Sequence, residues 1–140
     1  MAYSTNGLGR YLDYLGGKSS LSNKEKEAAN LIVNQVNGCR YCQSAHTVLG
    51  KMNGLDENEI IQIRKGSSTD DKLNALVALA GELNEKKGHA SSEAVQHFFD
   101  QGYSKENLVD LILLISEKTA MNYLHNLTQV EIDFPVAPEL

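Results

Sequence analysis

Apolar side chains recur along this chain at the spacing of helix faces, and nearly every run stops at a glycine or starts at a capping residue. Leu8, Tyr11, Leu12 and Leu15 form the first stripe, closed by Gly16-Gly17. Ser22 with Glu25 is a capping box. It opens a second helix whose stripe is Ala29, Ile32, Val33 and Val36, and Asn37-Gly38 ends it with a pair suited to a left-handed turn. A third helix starts at or near Cys39, carries Ala45, Val48, Leu49 and Met52, and ends by Gly54. Asp56 with Glu59 opens a short fourth, with Ile60, Ile61 and Ile63, stopped at Gly66. Thr69-Asp70-Asp71 caps a fifth through Leu73, Leu76, Val77, Leu79, Ala80 and Leu83. Gly81 inside it costs roughly 1 kcal/mol against Ala, which points to a close helix crossing. Lys86-Lys87-Gly88 is a helix C-terminus, with cations at the negative dipole end and then glycine. Ser91-Ser92-Glu93 begins a sixth helix through Ala94, Val95, Phe98 and Phe99, stopped at Gly102. Ser104, with Glu106 in its first turn, begins the last and longest, reaching about Gln129. The tail from Glu131 to Leu140 reads as extended.

No stretch alternates with a period of two for long enough to make a strand, and every connection is short. The pattern predicts one all-α domain, residues 1–140, of about seven helices. The last helix is the exception to amphipathic order. Leu108, Val109 and the run Leu111 to Ile115 cover nearly its whole circumference. Such a helix must be buried all round, either as the central helix of a monomer or between this subunit and a neighbour. We expect the second, a homo-oligomer.

Composition narrows the function classes. The 41% hydrophobic and 22% charged residues are those of an ordinary globular protein, and the net charge of −5 comes with no Lys/Arg stripe. Nucleic-acid binding is therefore not expected. The N-terminus lacks the charged and apolar regions of a secretory signal, and the longest apolar run is far too short to span a bilayer. The expected setting is cytoplasmic and reducing, with no membrane. There a close cysteine pair points to catalysis or metal binding rather than a structural staple.

Both cysteines of the chain lie in one such pair, Cys39-Arg-Tyr-Cys42, with His46 four residues on. At a helix start, unpaired backbone N–H groups favour a thiolate. Cys42 and His46 share a helix face, so the imidazole can take a proton from the thiol or pass one to a leaving group. Two thiols this close can also form a disulfide, or resolve a sulfenic acid. The spacing therefore supports a dithiol redox site with an attached base. Zinc is the first alternative, because Cys-x-x-Cys and His46 supply three ligands. A fourth is missing, and His89, His97 and His125 stand singly on separate predicted elements. A thioredoxin-like site lacks its βαβ pattern, and two inert buried cysteines are the remaining alternative.

With these residues in hand, the chain resembles the AhpD-like alkylhydroperoxidases of the carboxymuconolactone decarboxylase superfamily. The resemblance rests on Glu27, on Asn37-Gly38-Cys39-Arg40-Tyr41-Cys42 and on Ala45-His46. It extends to the short helix from Leu55-Asp56-Glu57 to Ile63, and to Asn122 and Glu131-Ile132-Asp133. It implies an all-helical subunit assembling into trimers or hexamers. It also implies reduction of organic hydroperoxides by the cysteine pair, with Cys42 as the peroxidatic cysteine and Cys39 as the resolving one. His46 and Glu27 are then the proton relay that activates Cys42. Tyr41 stands where some members carry a second histidine, and its phenol is a candidate hydrogen-bond donor. No metal or other cofactor is implied. There is no Gly-rich dinucleotide fingerprint either, so the expected reductant is a dithiol, small, protein-borne or of lipoyl type. The alternatives are a metal-binding or redox-responsive module without enzymatic activity, and a decarboxylase-type lyase with His46 as base. The cysteine pair argues against the lyase, because decarboxylase members generally lack it.

Overall fold

Capping chemistry sets the helix boundaries in the structure, a computed structural model that describes residues 6–140, without the side chains of Asn6, Leu8, Tyr14 and Leu15. Two members of the predicted first stripe, Leu8 and Leu15, thus lie outside the described side chains. The helices are α1 (Asn6–Gly16), α2 (Asn23–Val36), α3 (Arg40–Met52), α4 (Glu57–Arg64), α5 (Asp71–Glu85), α6 (Ser92–Asp100) and α7 (Lys105–Thr128). The two predicted capping boxes, Ser22/Glu25 and Asp56/Glu59, both form. Among the described residues there is no strand, and no helix is long and apolar enough to cross a membrane.

Helix α2 is the centre of the fold, packing against α3, α4, α5 and α7. Its Ala28, Ala29, Leu31, Ile32 and Val33 are buried together with Ile60 and Ile63 of α4, Leu76, Leu79 and Ala80 of α5, Phe98 of α6 and Leu111 of α7. Gly81 marks the α2–α5 crossing: a Cβ there would lie 3.1 Å from Cγ1 of Ile32.

Two sequence expectations change. Val36 and Met52 were placed on buried stripes but are exposed, at 40% and 76%. The reason for Met52 is that α3 turns its polar side inward: Cys42, Gln43, Ser44 and His46 are buried, while Val48 and Leu49 are only half-buried. Within one chain α7 buries one side only, with Leu111 enclosed and Val109, Ile112 and Leu113 exposed. The tail is fixed from beneath. Arg40 Nη2 donates to the carbonyl of Ala137 (2.6 Å), and the buried Arg64 donates to that of Pro138 (2.8 Å).

Candidate functional site

The site begins at the turn between α2 and α3. Asn37 caps α2, Gly38 takes the left-handed conformation (φ +65°), and Cys39 is the extended N-cap of α3. A side chain at residue 38 would be strained by that φ. The turn lets the Cys39 sulfur accept from the amide of Cys42 at 3.3 Å. Cys39 and Cys42 are joined as a disulfide, with Cα atoms 5.2 Å apart. Both are buried at the positive end of α3, where a released thiolate would be stabilised.

Helix α7 runs back over α3 and supplies the partners of both ends. Nδ1 of His125 lies 3.2 Å from the Cys42 sulfur. The Tyr41 ring packs on His125 with centroids 4.5 Å apart and is met edge-on by Phe134. Burial first, and the Lys118 charge second, hold the His125 imidazole below its usual range, which favours the neutral ring. Burial and a hydrogen bond to Asp133 push the Tyr41 phenol up, so it stays protonated.

One turn along α3, His46 has a different company. Its Nδ1 lies 2.6 Å from Oε2 of Glu27 on α2, and its Nε2 lies 2.9 Å from Nζ of Lys118 on α7. A Glu27 carboxylate accepts from Nδ1–H, which leaves Nε2 to accept from the lysine. Burial outweighs the Glu27 carboxylate and holds this ring, too, below its usual range, with the Lys118 charge adding to the effect. Both ring nitrogens of His46 are therefore occupied, and the imidazole in contact with the Cys42 sulfur is that of His125.

Between the two ends lies a buried amide cluster. Asn122 donates to Asn34 Oδ1 (2.8 Å) and accepts from Asn37 (2.9 Å), while Asn34 donates to the carbonyl of Cys42 (3.2 Å). These bonds tie α7 to the end of α2 and fix the turn that presents the cysteines.

The donor set for a metal is Cys39, Cys42 and His125, whose ligand atoms all lie within 4.8 Å of one another. His125 is thus not an isolated histidine, because the return of α7 brings it to the cysteines. The disulfide and a metal would compete for the same sulfurs, since only thiolates bind the ion.

His125 and Lys118 are the two site residues that sequence reasoning passed over. The signal was available in the spacing. From Leu111, the inward face of α7 continues through Lys118, Asn122 and His125, all buried. Polar residues in register with a buried leucine are groups held inside for a purpose or a partner.

Comparison with known proteins bears on the family and the fold. The carboxymuconolactone decarboxylase family model matches residues 4–85. The uncharacterized protein YdfG of Bacillus subtilis is 24% identical over 108 residues, covering 75% of this chain and 74% of its own. Among solved structures, ATU0492 from Agrobacterium tumefaciens, a protein of unknown function proposed to be the antioxidant defence protein AhpD, superposes with a TM-score of 0.79. It is 19% identical, over 93% of this chain and 89% of its own. The debrominase Bmp8, solved with 2,3,4-tribromopyrrole, gives 0.77 at 16% identity, over 90% and 68%.

Proposed function

Because the chain belongs to the carboxymuconolactone decarboxylase family, whose members include enzymes, we propose that it is a thiol-dependent peroxidase for organic hydroperoxides. The observation that carries this reading is the buried Cys39–Cys42 pair at the start of α3, with an imidazole 3.2 Å from the Cys42 sulfur. The cycle uses only groups at this site and an external dithiol. The Cys42 thiolate attacks the terminal oxygen of ROOH, the O–O bond breaks, the alcohol leaves with a proton, and Cys42 becomes a sulfenic acid. The Cys39 thiol attacks that sulfur, releasing water and forming the disulfide. A dithiol, small, protein-borne or of lipoyl type, reduces the disulfide and is itself oxidised.

His125 is the group that takes the Cys42 proton at contact distance. Glu27 and His46 form the second relay, one turn behind, and return a proton to the departing alkoxide once Lys118 gives up Nε2. The exposed Val109, Ile112 and Leu113 on α7 supply a face for a second copy of the chain, in keeping with a trimer or hexamer.

Consumption of a dithiol with cumene hydroperoxide tests the reading. Cys42→Ser removes turnover altogether, and Cys39→Ser stops after one turnover with a sulfenic acid that a dimedone probe traps. Wild-type rates in both variants would refute it. A second reading, a metal-binding module, has its own support in the Cys39/Cys42/His125 cluster. Native mass spectrometry of the reduced protein decides between them, since one tightly held zinc per chain that persists with peroxide would favour the module.

A further inference from the structure

Lys118 is not required by the thiol chemistry, and its surroundings are those of a reactive amine. It is 8% exposed, on the inward face of α7. Among the described residues no ion pair includes it, and its hydrogen bond goes to the lone pair of His46 Nε2 at 2.9 Å. The other nitrogen of that ring is held by Glu27 at 2.6 Å. Carboxylate, imidazole and amine thus stand in the order orienter, base and nucleophile. When the ammonium passes its proton to Nε2, Glu27 stabilises the imidazolium and the amine lone pair is free. Desolvation works in the same direction: burial holds Lys118 below the usual lysine range, against the smaller pull of Glu117 and Glu27.

This triad opens on a cavity of about 550 Å³, a volume suited to a small molecule. The charges of its wall balance, Lys18, Lys26 and Lys118 against Glu27, Asp110 and Glu117, so the cavity asks for no net charge in its ligand. Leu113 and Leu114 give it an apolar side. Asn30 also lines it, 5% exposed, and its Oδ1 is buried without a hydrogen-bond partner, which leaves an acceptor waiting for a donor.

We propose that Lys118, with His46 as proton acceptor and Glu27 behind the ring, is a nucleophilic amine centre that captures small uncharged aldehydes in this cavity. The amine adds to the carbonyl carbon, a C–N bond forms, and the carbonyl oxygen takes the proton from His46. Loss of water then gives the iminium. The ammonium and the aldehyde are converted to an iminium ion and one water, and nothing is oxidised or reduced.

Propanal with cyanoborohydride, which traps the iminium as a propyl amine, tests this on the full chain. Peptide mass mapping over time follows each lysine. Lys118 is expected to be modified about tenfold or more faster than the exposed Lys24 and Lys72, and His46→Gln to remove that advantage while leaving those two unchanged. Cys42→Ser is expected to leave Lys118 labelling intact, so the fate of the thiol reading is read separately. Labelling of Lys118 in the wild-type protein no faster than that of Lys24 and Lys72 overturns the proposal. If His46→Gln fails to fold by circular dichroism, the wild-type ratio before and after urea unfolding decides: an advantage of Lys118 that survives unfolding overturns it as well.

Discussion

Cys42 and His46 stand one turn apart on the inward side of α3, yet they meet different partners. Cys42 meets His125, from the last turn of α7, inside a shell of aromatic rings and asparagines. His46 meets Lys118, two turns earlier on α7, and Glu27 from α2, beside an open cavity. Helical spacing decided that the thiol and the imidazole share a face. It did not decide that they share a proton, because an antiparallel helix crossing above them offers each its own nearer group. One end is buried and holds the disulfide. The other is charged and open to a ligand.

The sharpest way to break this comparison is to exchange the two imidazoles for amides. If His125 is the contact base of Cys42, His125→Gln slows hydroperoxide turnover by about 100-fold, within the usual range for a lost general base. His46→Gln, acting one turn away, costs about tenfold. Steady-state rates at pH 7 with cumene hydroperoxide measure both. The reverse order would make His46 the base of the thiol and merge the two ends into one site.

The division between the ends is held by Asn122, fully buried between Lys118 and His125 on the α7 surface. Asn122→Ala strands the amides of Asn34 and Asn37, each of which loses a partner. Leaving buried polar groups unpaired predicts a loss of about 2 kcal/mol, read as a lower urea midpoint at unchanged slope. If the thiol reading holds, the cysteine end, which depends on the Asn37–Gly38 turn, should lose more hydroperoxide turnover than Lys118 loses labelling.

Much of this architecture was legible in the sequence. Ser22/Glu25, Asp56/Glu59 and Gly38 act locally, through backbone groups within a few residues, so their consequences can be read from spacing alone. The Cys39–Cys42 pair is local for the same reason. His125 and Lys118 were not found because their partners lie 83 and 72 positions away in the chain. Only the crossing of α7 over α3 creates those contacts. The inward polarity of α3 was missed for a related reason: Val48, Leu49 and Met52 read as a buried stripe until the crossing helix supplies hydrogen-bond partners for the opposite side.

Acid should weaken both ends together, since burial holds His46 and His125 below the ordinary value of about 6.5. As pH falls below that value the unfolded chain binds protons that the folded chain refuses. Stability is therefore complete above about pH 6.5 and is lost on acidification, by at most about 1.4 kcal/mol per pH unit for each histidine. Urea midpoints between pH 7 and 5 measure the slope. His125→Gln should remove its own share and leave that of His46. A flat profile in the wild-type protein would mean that the rings are not held neutral.

The smallest effect concerns Tyr41. Its ring packs on His125, and its hydroxyl turns to Asp133, on the tail side of the site. The ring, not the phenol, is thus the part that touches the dithiol end. Tyr41→Phe keeps the stacking and the edge contact of Phe134. It removes only the hydroxyl that faces Asp133, a loss of at most about 0.5–1 kcal/mol in stability. Turnover should fall less than about threefold. A larger fall, above all one that vanishes with His125→Gln already in place, would show that the hydroxyl helps orient that imidazole. The disulfide end would then extend beyond the ring into the tail held by Arg40 and Arg64.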